Sequence, residues 1–326
     1  MGKDIQAMEK VISLNINSKC LRGLKCYEAL DEDHAVTVGV FDGVHLGHRY
    51  LIERLVEESK KRGLKSCVLS FYPHPSKVLS PSQHPCELTD YFERAERILE
   101  LGVDKVAYIN FDREFSKMTA EDFLSDVIHR RLRCRYLLVG YDWRFGYRRE
   151  GEVELAKEFG EKLGFYVEMA QPFYKNGHII SSTYIRRLLH SARLDEVREY
   201  LGEPYWIRRK VIKGAGRGTL LGFPTANLER TDNLCLKEGV YAVKVEDQYL
   251  GIANYGYRPT FDGRAKVLEV HLLNFKGDLR GKKIKVEFLG FIREEKKFPS
   301  KDELIKQIER DISTAQDIFR KESLRC

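Results

Sequence analysis

Short apolar runs alternate with amphipathic stretches along the first half of the chain. Five runs are predicted to be strands, at residues 35–41, 66–71, 105–109, 136–139 and 165–169. The stretches between them have helical periodicity, at 49–62, 91–101, 120–132 and 153–163. This alternation predicts a parallel, doubly wound sheet with helices on both sides. Ligands of such sheets bind beyond the carboxyl ends of the strands.

After residue 204 the pattern changes to consecutive strand-like runs. These lie at 205–212, 239–245, 249–253, 266–273 and 283–288, and a helical pattern returns only at about 301–320. A run of strands followed by one helix predicts an antiparallel sheet or small barrel with a packed helix. We therefore predict a first domain at 1–190, a linker at 191–204 and a second domain at 205–326.

Composition and charge are those of a globular protein of about two domains. The chain has 326 residues, of which 43% are hydrophobic and 32% charged, and a net charge of +7. Its basic side chains are spread along the sequence, which suits anionic small molecules better than nucleic acid. No apolar run approaches the roughly 18 residues of a membrane span, and residues 1–10 lack the apolar core of a signal peptide. We expect a cytoplasmic protein.

The cysteines are expected to be reduced. There are seven, at positions 20, 26, 67, 86, 134, 235 and 326, and no two of them form a Cys-x-x-Cys pair. An odd number without metal-ligand spacing predicts free thiols, with neither disulfides nor a zinc site.

Residues 39–48, Gly-Val-Phe-Asp-Gly-Val-His-Leu-Gly-His, lie between the first predicted strand and the first predicted helix. A helix N-terminus favours phosphate binding through its free N–H groups and partial positive charge. His45 and His48 could donate hydrogen bonds to charge that develops on phosphate oxygens. No Gly-Lys-Ser/Thr follows, which excludes the Walker loop, and the glycine spacing excludes the dinucleotide fingerprint. A plain glycine turn with structural histidines is the alternative.

Three further segments of the first half carry candidate chemistry. The loops at 71–75 and 139–146 follow strands, and their aromatic side chains could stack on a flat ring. Asp142 could accept hydrogen bonds from a base or a sugar. At 180–189 serine and threonine can cap a helix, and Arg186 could reach an anion at the helix end. A cap alone and a cap combined with a phosphate clamp both fit this pattern.

Two segments of the second half also carry candidate chemistry. The glycine-rich segment 214–228 could wrap phosphates. Thr225 and Asn227 alternate on extended chain, so their oxygen atoms face one side and suit Mg²⁺. A flexible hairpin loop is the alternative. Glu269 interrupts the apolar run 268–272; the pattern alone favours an exposed strand position, and a general base is the other possibility.

Together these segments resemble the bacterial bifunctional riboflavin kinase/FMN adenylyltransferase family, also called FAD synthetase. The resemblance preserves their order from about residue 35 to 315, and it lies at 39–48, 70–79, 139–151, 180–189, 222–228, 251–260, 268–281 and 292–298. It implies a Rossmann-like nucleotidyltransferase domain, followed by a small antiparallel β-barrel flavokinase domain with a C-terminal helix.

The resemblance also implies two reactions. The barrel would convert riboflavin and ATP to FMN and ADP, and the first domain would convert FMN and a second ATP to FAD and pyrophosphate. Mg²⁺ would be the cofactor. We expect small-molecule substrates and no nucleic-acid or membrane partner.

Individual roles follow from the same resemblance. The catalytic residues would be His45, His48, Arg186 and, as general base, Glu269. ATP or its phosphates would be bound by Gly39, Phe41, Gly43, Gly47, Ser182, Thr183, Gly222 and Pro224. Flavin would be bound by Asp142, Phe145 and Arg293, the last in a loop that closes on the substrate. The metal would be held by Thr225 and Asn227.

Three positions depart from the family pattern. Thr219 and Arg280 replace a usual Arg and Tyr, and Asn274 replaces a usual Asp. None of these is a metal-binding or catalytic position, so we expect an effect on kinase substrate affinity rather than on the reaction. Two other interpretations remain. One module could be catalytically active while the other only binds flavin. Alternatively, the chain could be a basic nucleic-acid-binding protein with a nucleotidyltransferase fold.

Overall fold

The computed structural model describes residues 9–16, 18–214, 222–229, 231, 233–260 and 263–324, without the side chains of 258–260 and 263–265. The chain divides into two compact units. The first comprises Met1–Pro85 and Thr89–Ile180, and the second comprises Cys86–Leu88 and Ser181–Cys326. Thr219, one of the departures from the family pattern, lies outside the described residues.

The first unit is built on a seven-stranded parallel sheet. Its strands are β1 (Val11–Leu14), β2 (Lys25–Tyr27), β3 (His34–Val38), β4 (Lys65–Tyr72), β5 (Lys105–Asn110), β6 (Cys134–Val139) and β7 (Tyr166–Met169). They are arranged in the order β2-β1-β5-β4-β3-β6-β7, and every pairing is parallel. The predicted parallel sheet is confirmed. The sequence pattern missed β1 and β2, which are too short to show a period.

The strand order creates a switch point beside β3. From β3 the chain moves to β4 and β5 on one side, whereas β6 and β7 lie on the other side. In open α/β sheets the ligand crevice lies at such a point, beyond the carboxyl ends of the strands. The turn after β3 and the loop after β6 therefore flank the expected binding position.

Helices cover both faces of this sheet. They are α1 (Leu46–Lys61), α2 (Pro75–Leu79), α3 (Tyr91–Glu100), α4 (Ala120–Asp122, continued as the π-helix Phe123–Arg131) and α5 (Val153–Leu163). Alternate strand residues belong to different apolar clusters: Ala35 packs with α1 and α3, and Val36 packs with α4 and α5. This alternation is what a sheet buried on both faces requires. A short hairpin, β8 (Tyr174–Lys175) and β9 (His178–Ile179), follows.

The second unit is a closed six-stranded antiparallel barrel. Its strands are β10 (Tyr205–Ile212), β11 (Ala226–Leu228), β12 (Gly239–Val245), β13 (Tyr249–Thr260), β14 (Gly263–Leu272) and β15 (Lys283–Arg293), in the order β10-β11-β14-β13-β12-β15. β10 pairs with both β11 and β15, which closes the barrel. The predicted barrel is confirmed. The pattern missed β11, which has three residues.

Three helices complete the second unit: α6 (Ser182–His190), α7 (Leu194–Leu201) and α8 (Lys301–Ser323). The C-terminal helix α8 packs Ala315 and Phe319 against Val240, Ala242 and Ile252 of the barrel. Helix α7 lies inside the predicted linker, and it ends at Gly202 in the left-handed conformation. Within the part of the chain that is described, no helix combines the length and hydrophobicity needed to cross a bilayer.

The prediction of reduced cysteines is wrong for four residues. Cys20 is bonded to Cys26 and Cys86 to Cys235, with Cα–Cα distances of 5.9 and 5.4 Å. Pairing depends on distance in space, which sequence spacing does not reveal. Cys67 and Cys134 are free and buried, and burial raises the pKa of the Cys67 thiol to about 12. Cys326 lies outside the described residues.

Candidate functional site

The turn between β3 and α1 has unusual backbone geometry. Phe41, Gly43 and Val44 have φ angles of 54°, 83° and 42°. Glycine adopts such angles freely, whereas a bulky or β-branched residue does so only under strain of about 1–3 kcal/mol. The side chains of Phe41 and Val44 are both buried. Strain of this kind concentrates at functional sites, where the surroundings hold it in place.

His45 and His48 meet at the start of α1. The helix begins at Leu46, three residues before the predicted start, and His45 is its N-cap. Nδ1 of His45 accepts a hydrogen bond from the His48 backbone N–H at 3.2 Å, so Nε2 carries the proton in the neutral ring. The two rings are stacked with centroids 3.6 Å apart.

His48 is neutral at pH 7. Burial, followed by the nearby His45 and Arg94, lowers the pKa of His48 well below its ordinary value. Any stabilisation of phosphate charge by His48 would therefore come from N–H donation rather than from a full positive charge. The glycines predicted to bind phosphate lie where they can serve this function: Gly39 follows β3, Gly43 lies within the turn and Gly47 is in the first helical turn.

A buried polar network anchors the turn, and the sequence analysis missed it. The Asp42 carboxylate accepts hydrogen bonds from the backbone N–H and the hydroxyl of Thr89 at 3.1 and 3.3 Å. The Gly43 N–H donates to the Thr89 hydroxyl oxygen at 3.1 Å. The Arg94 guanidinium lies 3.7 Å from Asp42. The position of Arg94 indicates its burial, because it stands four residues before Ile98 on the apolar face of α3.

The loops after β4 and β6 lie beside this turn, because β4, β3 and β6 are neighbours in the sheet. In the first loop His74 caps α2, accepting from the Ser76 N–H at 3.2 Å. In the second loop Asp142 is exposed. Phe145 is buried and stacks under Trp143, with ring centroids 4.1 Å apart. Both loops therefore lie at the same edge of the sheet as the turn.

Ser182, Thr183 and Arg186 lie on α6 in the second unit. The cap of this helix is Ser181, whose hydroxyl accepts from the Tyr184 N–H at 3.2 Å. The Arg186 Nε donates to the Cys86 carbonyl at 2.7 Å. Since α6 belongs to one compact unit and the histidine pair to the other, a shared phosphate clamp stays a prediction.

The expectation that Glu269 is exposed is wrong. Glu269 lies in the middle of β14 and is only 8% exposed. It is paired in register with Asn227 of β11 and with Asn254 of β13. Directly paired residues of antiparallel strands point to the same side, so two carboxamides flank the carboxylate. Barrel closure buries it, and a single strand's pattern cannot show this.

A cleft of about 490 Å³ lies next to Asn227. Its lining includes Pro224, Thr225 and Asn227, together with Asp278 and Arg280. A Cβ atom at Gly214 would lie 2.1 Å from the Asn227 amide nitrogen, so a larger residue there would displace the Asn227 side chain. The oxygen atoms of Thr225 and Asn227 are hard donors, the type that Mg²⁺ prefers. The residues present therefore fit a magnesium–phosphate site.

The remaining predicted positions have defined places. Gly222 has a φ of 84° and precedes Pro224, whose carbonyl oxygen lies 2.9 Å from Nδ1 of His271. Arg280, one of the departures, forms an ion pair with Asp278. Arg293 is the last residue of β15, not part of a loop as predicted, and its guanidinium contacts the buried Asp311 carboxylate of α8 at 2.7 Å. Barrel strands longer than the pattern suggested account for the difference.

A parallel α/β unit with a strained turn at a helix N-terminus and a barrel with a buried acid beside hard oxygen donors are the features of a two-module nucleotide-dependent enzyme. Residues 27–184 match the family model described as FAD synthetase, and residues 201–319 match the one described as riboflavin kinase. The chain thus belongs to the bifunctional riboflavin kinase/FMN adenylyltransferase family, which confirms the resemblance predicted from the motifs.

Individual relatives agree over nearly the full length. The bifunctional riboflavin kinase/FMN adenylyltransferase of Escherichia coli (strain K12) is 40% identical over 306 residues, covering 92% of this chain and 98% of the relative. That of Haemophilus influenzae is 36% identical over 303 residues, with coverage of 92% and 98%. A solved structure described as a macrolide-efflux protein from Streptococcus pneumoniae superposes with a TM-score of 0.80 at 28% identity, covering 94% and 99% of the two chains.

Proposed function

We propose that this chain makes FAD from riboflavin in two consecutive reactions. The observation that carries the proposal is the match to both family models, in the order FAD synthetase and then riboflavin kinase. We assign adenylyl transfer to residues 1–190 and phosphoryl transfer to 205–326, with 191–204 between them.

In phosphoryl transfer the Glu269 carboxylate accepts the proton of a ribityl hydroxyl. The hydroxyl oxygen attacks the γ-phosphorus of ATP, the bond to the β-phosphate oxygen breaks, and FMN and ADP result. Thr225 and Asn227 would hold Mg²⁺, which neutralises charge on the phosphates when bound. Further contacts are assigned to Gly222 and Pro224 for ATP and to Arg293 for the flavin.

In adenylyl transfer a phosphate oxygen of FMN attacks the α-phosphorus of a second ATP. The bond to the pyrophosphate oxygen breaks, so FAD and pyrophosphate leave without a covalent enzyme intermediate. His45 and His48 donate hydrogen bonds to phosphate oxygens as negative charge builds up. The other proposed contacts are Gly39, Phe41, Gly43, Gly47, Ser182, Thr183 and Arg186 for ATP, and Asp142 and Phe145 for the flavin.

We propose a cytoplasmic location and small-molecule partners only. The redox state of the two cysteine pairs in cells depends on this location, because cytosolic thiol pools keep most cysteine pairs reduced. Alkylation of protein taken directly from cells, followed by mass spectrometry, measures which form of Cys20, Cys26, Cys86 and Cys235 is present.

A labelling experiment tests both reactions at once. The purified chain is incubated with riboflavin, Mg²⁺ and ATP that is labelled at either the γ- or the α-phosphorus, with a chelator in a control. Label from the γ position should enter FMN and then FAD, whereas label from the α position should enter FAD alone. FMN without FAD would rule out the adenylyltransferase, and no flavin product would rule out both activities.

A further inference from the structure

We propose that Arg94 is a positioning residue for adenylyl transfer: its guanidinium holds the turn 40–44 in the conformation that presents His45 and His48 to the phosphates of ATP. This inference rests on the proposed adenylyltransferase function. Arg94 touches the turn and not the reacting atoms.

Arg94 contacts this turn and also Thr89, which anchors the turn. Nη1 donates to the Val40 carbonyl at 2.9 Å, and Nη2 donates to the Thr89 carbonyl at 3.2 Å. The Arg94 side chain is 1% exposed and that of its ion-pair partner Asp42 is 2% exposed. A planar guanidinium can serve several acceptors in fixed directions, which a lysine ammonium cannot reproduce.

The turn needs such support because its backbone is strained. Phe41 and Val44 hold left-handed φ angles of 54° and 42°, and strain of this kind persists only where the surroundings over-determine it. Ser70 and Thr89 add neutral anchors: the Ser70 hydroxyl donates to the Val40 carbonyl at 3.2 Å, and Thr89 donates to Asp42. Arg94 is the charged member of this set.

A relaxed turn would displace the histidines. Val44 directly precedes the N-cap His45, and the Val44 carbonyl accepts from Nε of Arg49 at 3.2 Å. His45 in turn holds the His48 backbone and stacks on its ring. A misplacement of about 1 Å at a reacting centre can cost roughly 100-fold in rate.

Stability alone does not account for a buried ion pair at this place. Removing two charges from water is costly, and well-packed apolar residues in place of a buried pair are often as stable or more so. The contribution of Arg94 is instead directional: its guanidinium fixes the Val40 carbonyl at the start of the strained turn and the carbonyl of Thr89, the residue that anchors Asp42 and Gly43. This points to geometry of the ATP site as its function.

The test compares Arg94→Met and Arg94→Lys in the full chain, with both reactions measured. Arg94→Met should lower kcat/KM for ATP in FAD formation by about 10- to 100-fold, as expected for the loss of a buried charged hydrogen-bond donor. Arg94→Lys should show a smaller loss, and FMN formation from riboflavin should stay within about twofold in both variants.

Ile98→Ala is the matched control. Ile98 is fully buried on the same helix, so its truncation destabilises the unit without removing a contact to the turn carbonyls. Melting curves give the folded fraction of each variant. Ile98→Ala should leave KM for ATP unchanged, because a smaller folded fraction lowers apparent kcat and not KM.

Four results would overturn the positioning role of Arg94. Unchanged kcat/KM in Arg94→Met, while the wild type makes FAD, would overturn the positioning role and leave the proposed function standing. Losses in Arg94→Met that scale with its melting temperature as in Ile98→Ala would also overturn it. If Arg94→Met does not fold, the KM for ATP of Arg94→Lys decides, since an unchanged value contradicts the inference. A wild type that makes no FAD removes the proposed function and the inference together.

Discussion

Asn227 and Glu269 face each other across the antiparallel pairing of β11 and β14, and their side chains point to the same side of the barrel. Asn227 also lines the 490 Å³ cleft together with Thr225. One strand pair thus places a proposed metal ligand beside the proposed general base. Phosphoryl transfer depends mainly on positioning and charge neutralisation, so this register pair is the structural centre of the kinase proposal.

Glu269→Gln should abolish most FMN formation while sparing FAD formation from added FMN. The amide keeps the size of the side chain but cannot accept the proton, so we expect a loss of about 100- to 10,000-fold in the kinase rate. The two rates are measured separately with riboflavin or FMN as substrate. Glu287→Gln, a buried carboxylate of β15 paired with Lys244 and Lys285, is the control and should retain kinase activity. A normal kinase rate in Glu269→Gln would remove Glu269 as the base.

His48→Ala should give the opposite separation. Loss of one hydrogen-bond donor to a developing oxyanion costs about 3–4 kcal/mol, so FAD formation should fall by roughly 100- to 1,000-fold. FMN formation should be unaffected. His34→Gln, a fully buried histidine of β3 outside the turn, controls for loss of a buried imidazole. Equal loss of both activities in His48→Ala would contradict two separate sites.

The first unit should lose stability as the pH falls below about 6.5. Burial is the largest cause of the lowered pKa of both His48 and His34, so below the unfolded value of about 6.5 the unfolded chain binds protons that the native unit does not. The free energy of unfolding therefore falls with decreasing pH, by at most about 1.4 kcal/mol per histidine and pH unit.

Tryptophan fluorescence can isolate this effect. The chain has two tryptophans, Trp143 in the first unit and Trp206 in the second, so in Trp206→Phe the signal reports on the first unit. Urea midpoints at pH 7.5 and 5.5 should differ, and the additional change His48→Gln should reduce the difference. A midpoint in Trp206→Phe that does not change with pH would contradict the lowered histidine pKa values.

The Cys86–Cys235 disulfide should stabilise the second unit. It closes a sequence separation of 149 residues, and removal of a native disulfide typically costs about 2–5 kcal/mol. Cys235→Ser should therefore lower the melting temperature of the second unit, read from Trp206 in a Trp143→Phe background. Cys134→Ser changes a buried free thiol of the first unit and should leave that transition in place. Recovery of Cys86 and Cys235 as free thiols from the oxidised, purified protein would show the pairing to be wrong.

The candidate sites could be predicted only in part. The segment 39–48 indicated the proposed phosphate-binding turn, because glycines, an aspartate and two histidines at a strand–helix junction are a local pattern. Arg94 escaped notice because an arginine on an amphipathic helix is usually solvated, and its burial depends on Asp42, far away in the sequence. Phe145, which we propose to contact the flavin, packs under Trp143 in the core, and the aromatic pattern of the loop did not show this burial.

The order of strands and helices, the two modules and the positions of the glycine-rich segments follow from the sequence alone, because side-chain periodicity and turn chemistry act over neighbouring residues. The burial of Glu269, the anchoring of the phosphate-binding turn and the disulfides do not. Their partners are far apart in sequence: 47 residues separate Asp42 from Thr89, and 149 separate Cys86 from Cys235. Strand register and barrel closure bring such residues together, and these depend on the packing of the whole unit. The ten residues 39–48 therefore specify the proposed nucleotide-binding turn locally, whereas its anchoring includes Arg94 of a helix that begins more than forty residues later.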